Sequence, residues 1–161
     1  MIFTRDRERK ETCMFFEGGS FNSIDEKGRL VVPVKFREGL GQTFKLVKGF
    51  DKCIAVYTKE RYEMMLQRLE EMKTSGPEGR KLVRHIIGCA QDCECDKQGR
   101  ILIDQTLREY AGLKKDVFVT GLIDRIEIWD TEEYKKYERE GGNADYEHDE
   151  FLENALKLLD F

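Results

Sequence analysis

No apolar run in the 161-residue sequence approaches the roughly 18 residues that a membrane span needs. The first eleven residues are charged where an export signal carries an apolar stretch, so the expected address is the cytoplasm, with no membrane partner. Histidine is scarce, His85 and His148 being the only two. Glycine-rich phosphate loops and nucleophile elbows are missing, and the clustered acids stand at turns and helix starts, where capping accounts for them. No set of residues fits a reaction class, which excludes catalytic residues, a cofactor and a small-molecule substrate from the reading. Cysteine is present in odd number: Cys13, Cys53, Cys89, Cys93 and Cys95 make five. That count speaks against a disulfide framework and for free thiols in a reducing compartment.

What the chain does have is a core's worth of apolar residues under a heavily charged surface, 40% hydrophobic and 37% charged. At a rough prior of about 150 residues per domain, the length suits one compact domain or two small halves sharing a core. The net charge of -4 argues, as an average, against a polyanionic partner. The average hides an asymmetry. Residues 141–161 hold six acids (Asp145, Glu147, Asp149, Glu150, Glu153, Asp160) and one base (Lys157), which makes that stretch -5 and leaves +1 for the rest. Protein charges act over about a Debye length, so bases concentrated locally on the body would still serve nucleic acid.

An internal repeat divides the body. Ile24 to Val32 (Ile-Asp-Glu-Lys-Gly-Arg-Leu-Val-Val) recurs as Cys95 to Ile103 (Cys-Asp-Lys-Gln-Gly-Arg-Ile-Leu-Ile) at an offset of 71, and Arg37-Glu38 matches Arg108-Glu109. Further on the offset becomes 72: Gly49 matches Gly121, Ile54 matches Ile126, Tyr57 matches Trp129, and Tyr62 matches Tyr134. Each copy reads as the same series. Phe21–Ile24 and Leu30–Val32 flank a charged turn whose glycine permits positive φ, which predicts a hairpin. A short helix follows, with Pro33 in its first turn and Phe36 and Leu40 on one face; in the second copy Asp104 stands as N-cap, with Leu107 and Ala111 spaced likewise. Two strands come next, 44–47 and 54–57 in one copy, 117–119 and 126–129 in the other. A helix then starts at Thr58, and at Asp130 with Glu133 three residues on.

Tyr62, Met65, Leu66, Leu69 and Met72 form one helical stripe, and Leu82, Val83, Ile86, Ile87 and Ala90 form a second beyond Pro77. These two helices join the repeats, and their stripes are expected to pack between the halves. The first dozen residues, before Met14-Phe15-Phe16, lack periodicity and are expected to be disordered. After Gly141-Gly142-Asn143, residues Phe151, Leu152, Ala155, Leu156 and Leu159 suit a short amphipathic helix docked on the body or on a neighbouring subunit. The divisions are therefore an extension (1–13), a first unit with its closing helix (14–73), a linker helix (74–92), a second unit (93–140) and an acidic tail (141–161).

The duplicated Asp-x-x-Gly-Arg turn carries the functional signal. One copy alone is a commonplace charged turn, with Asp good at turn starts and Gly at positive φ. Two copies with the same flanking elements suit a β-hairpin entering the major groove, where Arg or Lys contacts phosphates or donates two hydrogen bonds to guanine. Asp25 and Asp96 would then hold Arg29 and Arg100 by carboxylate–guanidinium pairing. Tyr57 and Trp129, at equivalent strand ends, are expected to pack in the core and not to stack on bases.

These repeats, the Gly-Arg-Leu-Val-Val-Pro segment, the Ile-Ile-Gly-Cys-Ala helix end and Gly-Leu-Ile-Asp-Arg-Ile-Glu-Ile-Trp-Asp together resemble the bacterial MraZ family, over about residues 14–141. The resemblance implies an α+β fold of two tandem AbrB-like swapped-hairpin units about a pseudo-two-fold axis, linked by two helices. It also implies a nucleoid-associated transcriptional regulator that binds double-stranded DNA at direct repeats upstream of the division and cell-wall gene cluster, with subunits assembled as a homo-oligomeric ring. Carried over by motif, the DNA-binding residues are Asp25, Lys27 and Arg29 in one copy and Asp96, Lys97 and Arg100 in the other. The long N-terminal extension and the clustered cysteines depart from typical members.

That cluster supplies the alternative. His85, Cys89, Cys93 and Cys95 put four soft ligands within eleven residues, the composition of a structural zinc site in a metal- or thiol-regulated binding module. No CxxC pair is present, and Cys93 and Cys95 share one strand face where thiols fill a core, so packing thiols and no metal is the preferred reading.

Overall fold

The computed structural model describes residues 15–74, 76–140 and 158. The expected disorder of 1–13 and the expected amphipathic helix of the tail lie outside the described residues. The elements run β1 (Phe16–Ser23), β2 (Arg29–Val31), α1 (Val34–Leu40), β3 (Thr43–Lys48), β4 (Ile54–Thr58), α2 (Lys59–Met72), α3 (Pro77–Ile87), β5 (Gln91–Glu94), β6 (Arg100–Leu102), α4 (Gln105–Ala111), β7 (Asp116–Ile123), β8 (Ile126–Asp130) and α5 (Thr131–Glu140). The fold is α+β, with the same order of elements in each repeat.

The strands interleave the two repeats. A six-stranded sheet runs β1-β7-β8-β4-β3-β5, and β2 and β6 make a separate two-stranded ladder. All pairings are antiparallel. The expected hairpin across Asp25–Arg29 is therefore not a ladder. Its arms share one bridge, Ile24 to Leu30, and then part, β1 to β7 and β2 to β6. The reason lies in the length of β2. Three residues offer one core-facing side chain, Leu30, and pairing with β6 sets it against Ile101 over a common core, with the two only 1% and 2% exposed. Burying apolar area in one core drives the exchange.

That core draws on both repeats: Phe36 and Leu40 from α1, Leu107 and Ala111 from α4, and Leu46, Ile54, Val119 and Ile128 from the sheet. The pairing of Asn22 with Val117 and of Cys93 with Phe44 relates β3 to β7 by a shift of 73, so Gly49 and Gly121 are not counterparts there. The shift of 72 returns at β4 and β8.

The apolar stripes of the linking helices do not pack between the halves. Tyr62, Leu69 and Ile86 gather with Val47, Ala55 and Tyr57 of the first repeat in a second cluster, against which Met65, Leu66, Leu82, Val83 and Ile87 pack. Alternation explains this: Val47 and Ala55 point away from the shared core and need a cover of their own. Capping follows expectation at two helices. The Thr58 hydroxyl accepts from the N–H of Arg61 at 3.2 Å, and the Asp130 carboxylate from the N–H of Glu133 at 3.3 Å. Pro33 sits at the N-cap of α1 and not within its first turn, and Asp104 takes the N-cap position without a side-chain cap bond, its own N–H held by Gln91 Oε1 at 2.9 Å.

A core shared in this way predicts one unfolding transition. Phe36→Ala in one repeat and Leu107→Ala in the other should each lower the same denaturant midpoint, at a cost of about 2–5 kcal/mol. Two separable transitions in either variant would contradict the shared core.

Candidate nucleic-acid interface

The two charged turns are built alike from backbone upward. In the first, the N–H of Gly28 donates to Asp25 O at 3.0 Å and the N–H of Asp25 to Arg29 O at 2.9 Å. In the second, Gly99 donates to Asp96 O at 3.0 Å and Asp96 to Arg100 O at 2.9 Å. Gly28 and Gly99 have φ of 82° and 75°, the left-handed region where a side chain is strained. Asp25 Oδ1 accepts the N–H groups of Lys27 and Arg29, both at 2.9 Å, and Oδ2 accepts Arg29 Nε at 2.7 Å. Asp96 repeats this with Gln98 and Arg100, all three bonds at 2.9 Å. The expected Asp–Arg pairing is present in both copies.

Each carboxylate thus fixes its guanidinium by the Nε edge. Among the described residues the terminal nitrogens of Arg29 and Arg100 have no partner, which leaves four N–H donors on each fork. Register sets Arg29 opposite Leu102 and Arg100 opposite Val31. With Leu30 and Ile101 turned inward, the outward face of the ladder carries the two arginines diagonally, between exposed Val31 and Leu102. Lys27 and Lys97 are both exposed but are not counterparts, because the shift of 71 carries Lys27 onto Gln98 and Lys97 onto Glu26.

Two further arginines frame the turns. Arg37 Nε donates to Val32 O at 2.8 Å and Arg108 Nε to Ile103 O at 2.9 Å. Their guanidinium groups lie over the turn of the opposite repeat. A Cβ on Gly99 would collide with Arg37, and one on Gly28 would stand 2.8 Å from Arg108 Cζ. The backbone ties agree, with Val32 N–H on Gly99 O at 2.9 Å and Ile103 N–H on Gly28 O at 3.0 Å. The recurrence of Arg37-Glu38 as Arg108-Glu109 was the available sequence signal for this pair, though not for what it touches.

The alternative residues are placed otherwise. His85 Nε2 lies 3.1 Å from Gly49 O and 3.3 Å from the Tyr110 hydroxyl, with its ring edge-on to Tyr110. Cys93 is buried in the shared core, where burial first and then the nearby Cys95 push its thiol up to about 12. Burial also raises Cys95, and Cys53 still further, with Glu127 adding to the latter. Cys89 and Cys95 are partly buried and pack against the same core as Cys93, so the three thiols fill space there. Among the described residues no three His, Cys, Asp or Glu side chains gather to hold a metal ion. Tyr57 and Trp129 are 7% and 3% exposed, and Trp129 Nε1 donates to Glu127 Oε1 at 3.1 Å, so both serve packing.

The turn carboxylates generate a pH prediction. The backbone N–H of Arg29 foremost, with the Arg29 side chain and the Lys27 N–H, holds Asp25 below the usual carboxylate range; Arg100 and Gln98 do the same for Asp96. A depressed carboxylate contributes its stabilisation above its ordinary value of about 3.9 and loses it as pH falls through the lower folded value. Carboxyl NMR titration should therefore find Asp25 and Asp96 titrating below the ordinary carboxylate range, and Asp25→Asn with Asp96→Asn should flatten the acid limb of the stability profile. Ordinary midpoints at both positions would contradict the bonding described.

Known proteins match the sequence over both repeats. A family model described as MraZ protein matches residues 15–85 and again 86–153, one match to each repeat. The transcriptional regulator MraZ of Desulforamulus reducens is 41% identical over 144 residues, covering 89% of this chain and 99% of the relative. That of Acetivibrio thermocellus is 44% identical over 122 residues, 76% of this chain and 85% of the relative. That of Lactiplantibacillus plantarum is 41% identical over 149 residues, 92% of this chain and the full length of the relative. These relatives carry the name of a regulator and not of an enzyme. With the family model matched twice and such relatives covering most of its length, the chain belongs to the MraZ family.

Proposed function

We propose that the protein is a sequence-specific transcriptional regulator that binds double-stranded DNA through the outward face of the β2–β6 ladder and its two turns. The observation that carries this is the duplicated, pre-set arginine fork. Arg29 and Arg100 are each held at Nε by a carboxylate while their remaining donors stay open. A two-stranded ribbon fits the major groove, where an arginine fork matches guanine O6 and N7. Three residues per strand at about 3.3 Å each give a face near 10 Å long, within a groove about 12 Å wide. Asp25 and Asp96 act as positioning residues, and Lys27 and Lys97 reach for phosphates. The names of the relatives support the regulatory role.

The finer reading follows the family resemblance. The targets are direct repeats upstream of the protein's own division and cell-wall gene cluster, and the protein works in the cytoplasm, associated with the nucleoid, as a homo-oligomeric ring. A ring engaging successive boxes gains affinity through effective concentration when its geometry matches their spacing. The two units, 14–73 and 93–140 with the linker helix 74–92, are swapped hairpins about a pseudo-two-fold axis. Support comes from β4 and β8, where the register sets Ala55 against Glu127, its own counterpart at a shift of 72.

Arg29→Ala and Arg100→Ala should each leave the circular dichroism spectrum unchanged and weaken binding to the protein's upstream region by about 1–3 kcal/mol in mobility shift. The double variant should fall to non-specific affinity. Rising salt should steeply weaken the wild type. Wild-type affinity in the double variant would overturn the proposal.

A further inference from the structure

The sheet has an outer face that is covered in one repeat and open in the other. In the first repeat α2 and α3 together cover Val47, Ala55 and Tyr57. In the second, α5 lies on β7 and β8, while the outer face of β1 and β7 beside it is uncovered among the described residues. Phe21 is 70% exposed there and Leu122 38%. A ladder of rings leads from this face under α5. Phe21 packs on Phe118 at 4.9 Å, Phe118 on Tyr134 at 4.5 Å, and Trp129 on Tyr134 and Tyr137 at 5.7 and 4.9 Å.

The counterpart positions are polar. The Phe21–Phe118 register pair corresponds to Asp92–Lys45, an ion pair whose ammonium lies 5.1 Å from the Tyr62 ring. One repeat thus solvates this position, and the other makes it aromatic. Apolar residues gathered on a face usually mark something that packs there. Gly19 makes the same point: a Cβ would run into the Phe118 ring, so the ring lies flat along the strand and extends the apolar strip.

We propose that this face is the docking site of the chain's own C-terminal segment, residues 151–159, which follows α5 in sequence at the spacing at which α3 follows α2. Three observations select it over other occupants. A shift of 72, which carries Tyr62 onto Tyr134, carries Pro77–Ile87 onto 149–159. The segment holds Phe151, Leu152, Ala155, Leu156 and Leu159 at helical spacing, the stripe such a cover needs. From Glu140 the ten residues to Phe151 reach about 30 Å when extended, ample for a return onto the neighbouring strands.

Charge adds to this. The cleft at the Phe21 end is lined by Lys114, Lys115 and Lys135 together with Asp116, Asp130 and Glu132. Asp130 is already bonded to the N–H groups of Lys114 and Glu133, and Glu132 faces Lys135. Lys114 and Lys115 have no ion-pair partner among the described residues, and they meet a segment that carries -5 over residues 141–161.

Hydrogen exchange read by mass spectrometry on the full chain tests the docking. Amides of 151–159 should exchange more slowly than an unstructured peptide, independently of protein concentration. Phe21→Asp, which copies the Asp92 counterpart, should speed them at least about tenfold while leaving the sheet amides unchanged. Leu152→Asp, placed in the tail where it leaves the body intact, should do the same and shift the Phe118 and Tyr134 ring resonances. Unprotected tail amides in the wild type, protection indifferent to both substitutions, or protection that grows with protein concentration, as docking onto a second copy would give, would each overturn the proposal.

Discussion

Gly28 and Gly99 each lie beneath an arginine that belongs to the other repeat, and much of the molecule depends on that reciprocal contact. Arg108 is anchored by its Nε to Ile103 O and covers Gly28; Arg37 is anchored to Val32 O and covers Gly99. Positive φ favours glycine at both positions, and the missing Cβ lets the guanidinium lie directly over the turn. The turn of each repeat is thereby located by the first helix of the other. The bonds inside each turn are local, and its placement is tied by the other repeat. The single core beneath, with Leu30 against Ile101, holds the two in a fixed relation.

A site supported in this way is stiff where recognition needs it to be. The Asp25 and Asp96 carboxylates are consumed by backbone and Nε donors, so the arginine forks are oriented before any partner arrives. Ordering a long side chain on binding costs on the order of 0.5–1.5 kcal/mol, and pre-setting it removes part of that cost. The two forks then differ in their neighbours. Lys27 precedes Gly28 directly, whereas Gln98 precedes Gly99 and Lys97 stands one place earlier, so the two halves present the same fork with a displaced cation.

The repeat, the turns and the helical stripes were legible because each is a local pattern with a local cause. Thr58 as a cap and Phe36 with Leu40 on one face needed only spacing. Strand partners were not legible, because alternation says which face of a strand is buried and is silent on which strand lies beside it. Leu30 reads the same whether β2 pairs with β1 or with β6. The first half of β1 was hidden for another reason: Glu17, Gly18 and Gly19 break the apolar alternation, and Phe16 is its sole buried residue. In the site, the Asp–Arg pairs were foreseen from their spacing, four apart across a tight turn. The Arg37 and Arg108 contacts cross between repeats, and no spacing within one repeat encodes them. His85 and the clustered thiols offered a metal site only as the alternative to packing, and helix and strand geometry places His85 beside Gly49 and Cys93 in the core.

Charge bears on how such a face would discriminate among DNA sequences. Each turn arginine is paired with an aspartate, so the forks add little net positive charge, and the body as a whole is near neutral. Counterion release, which scales with phosphates neutralised, then supplies only a modest sequence-independent affinity to one subunit. Weak general attraction is an advantage for a regulator, because non-specific sites far outnumber the target. On the proposed reading, affinity at the target would come from the directional bonds of the forks, and in a ring from several copies bound together, both of which reward correct sequence and spacing. The carboxylates that lower the raw attraction are the groups that make the arginines directional.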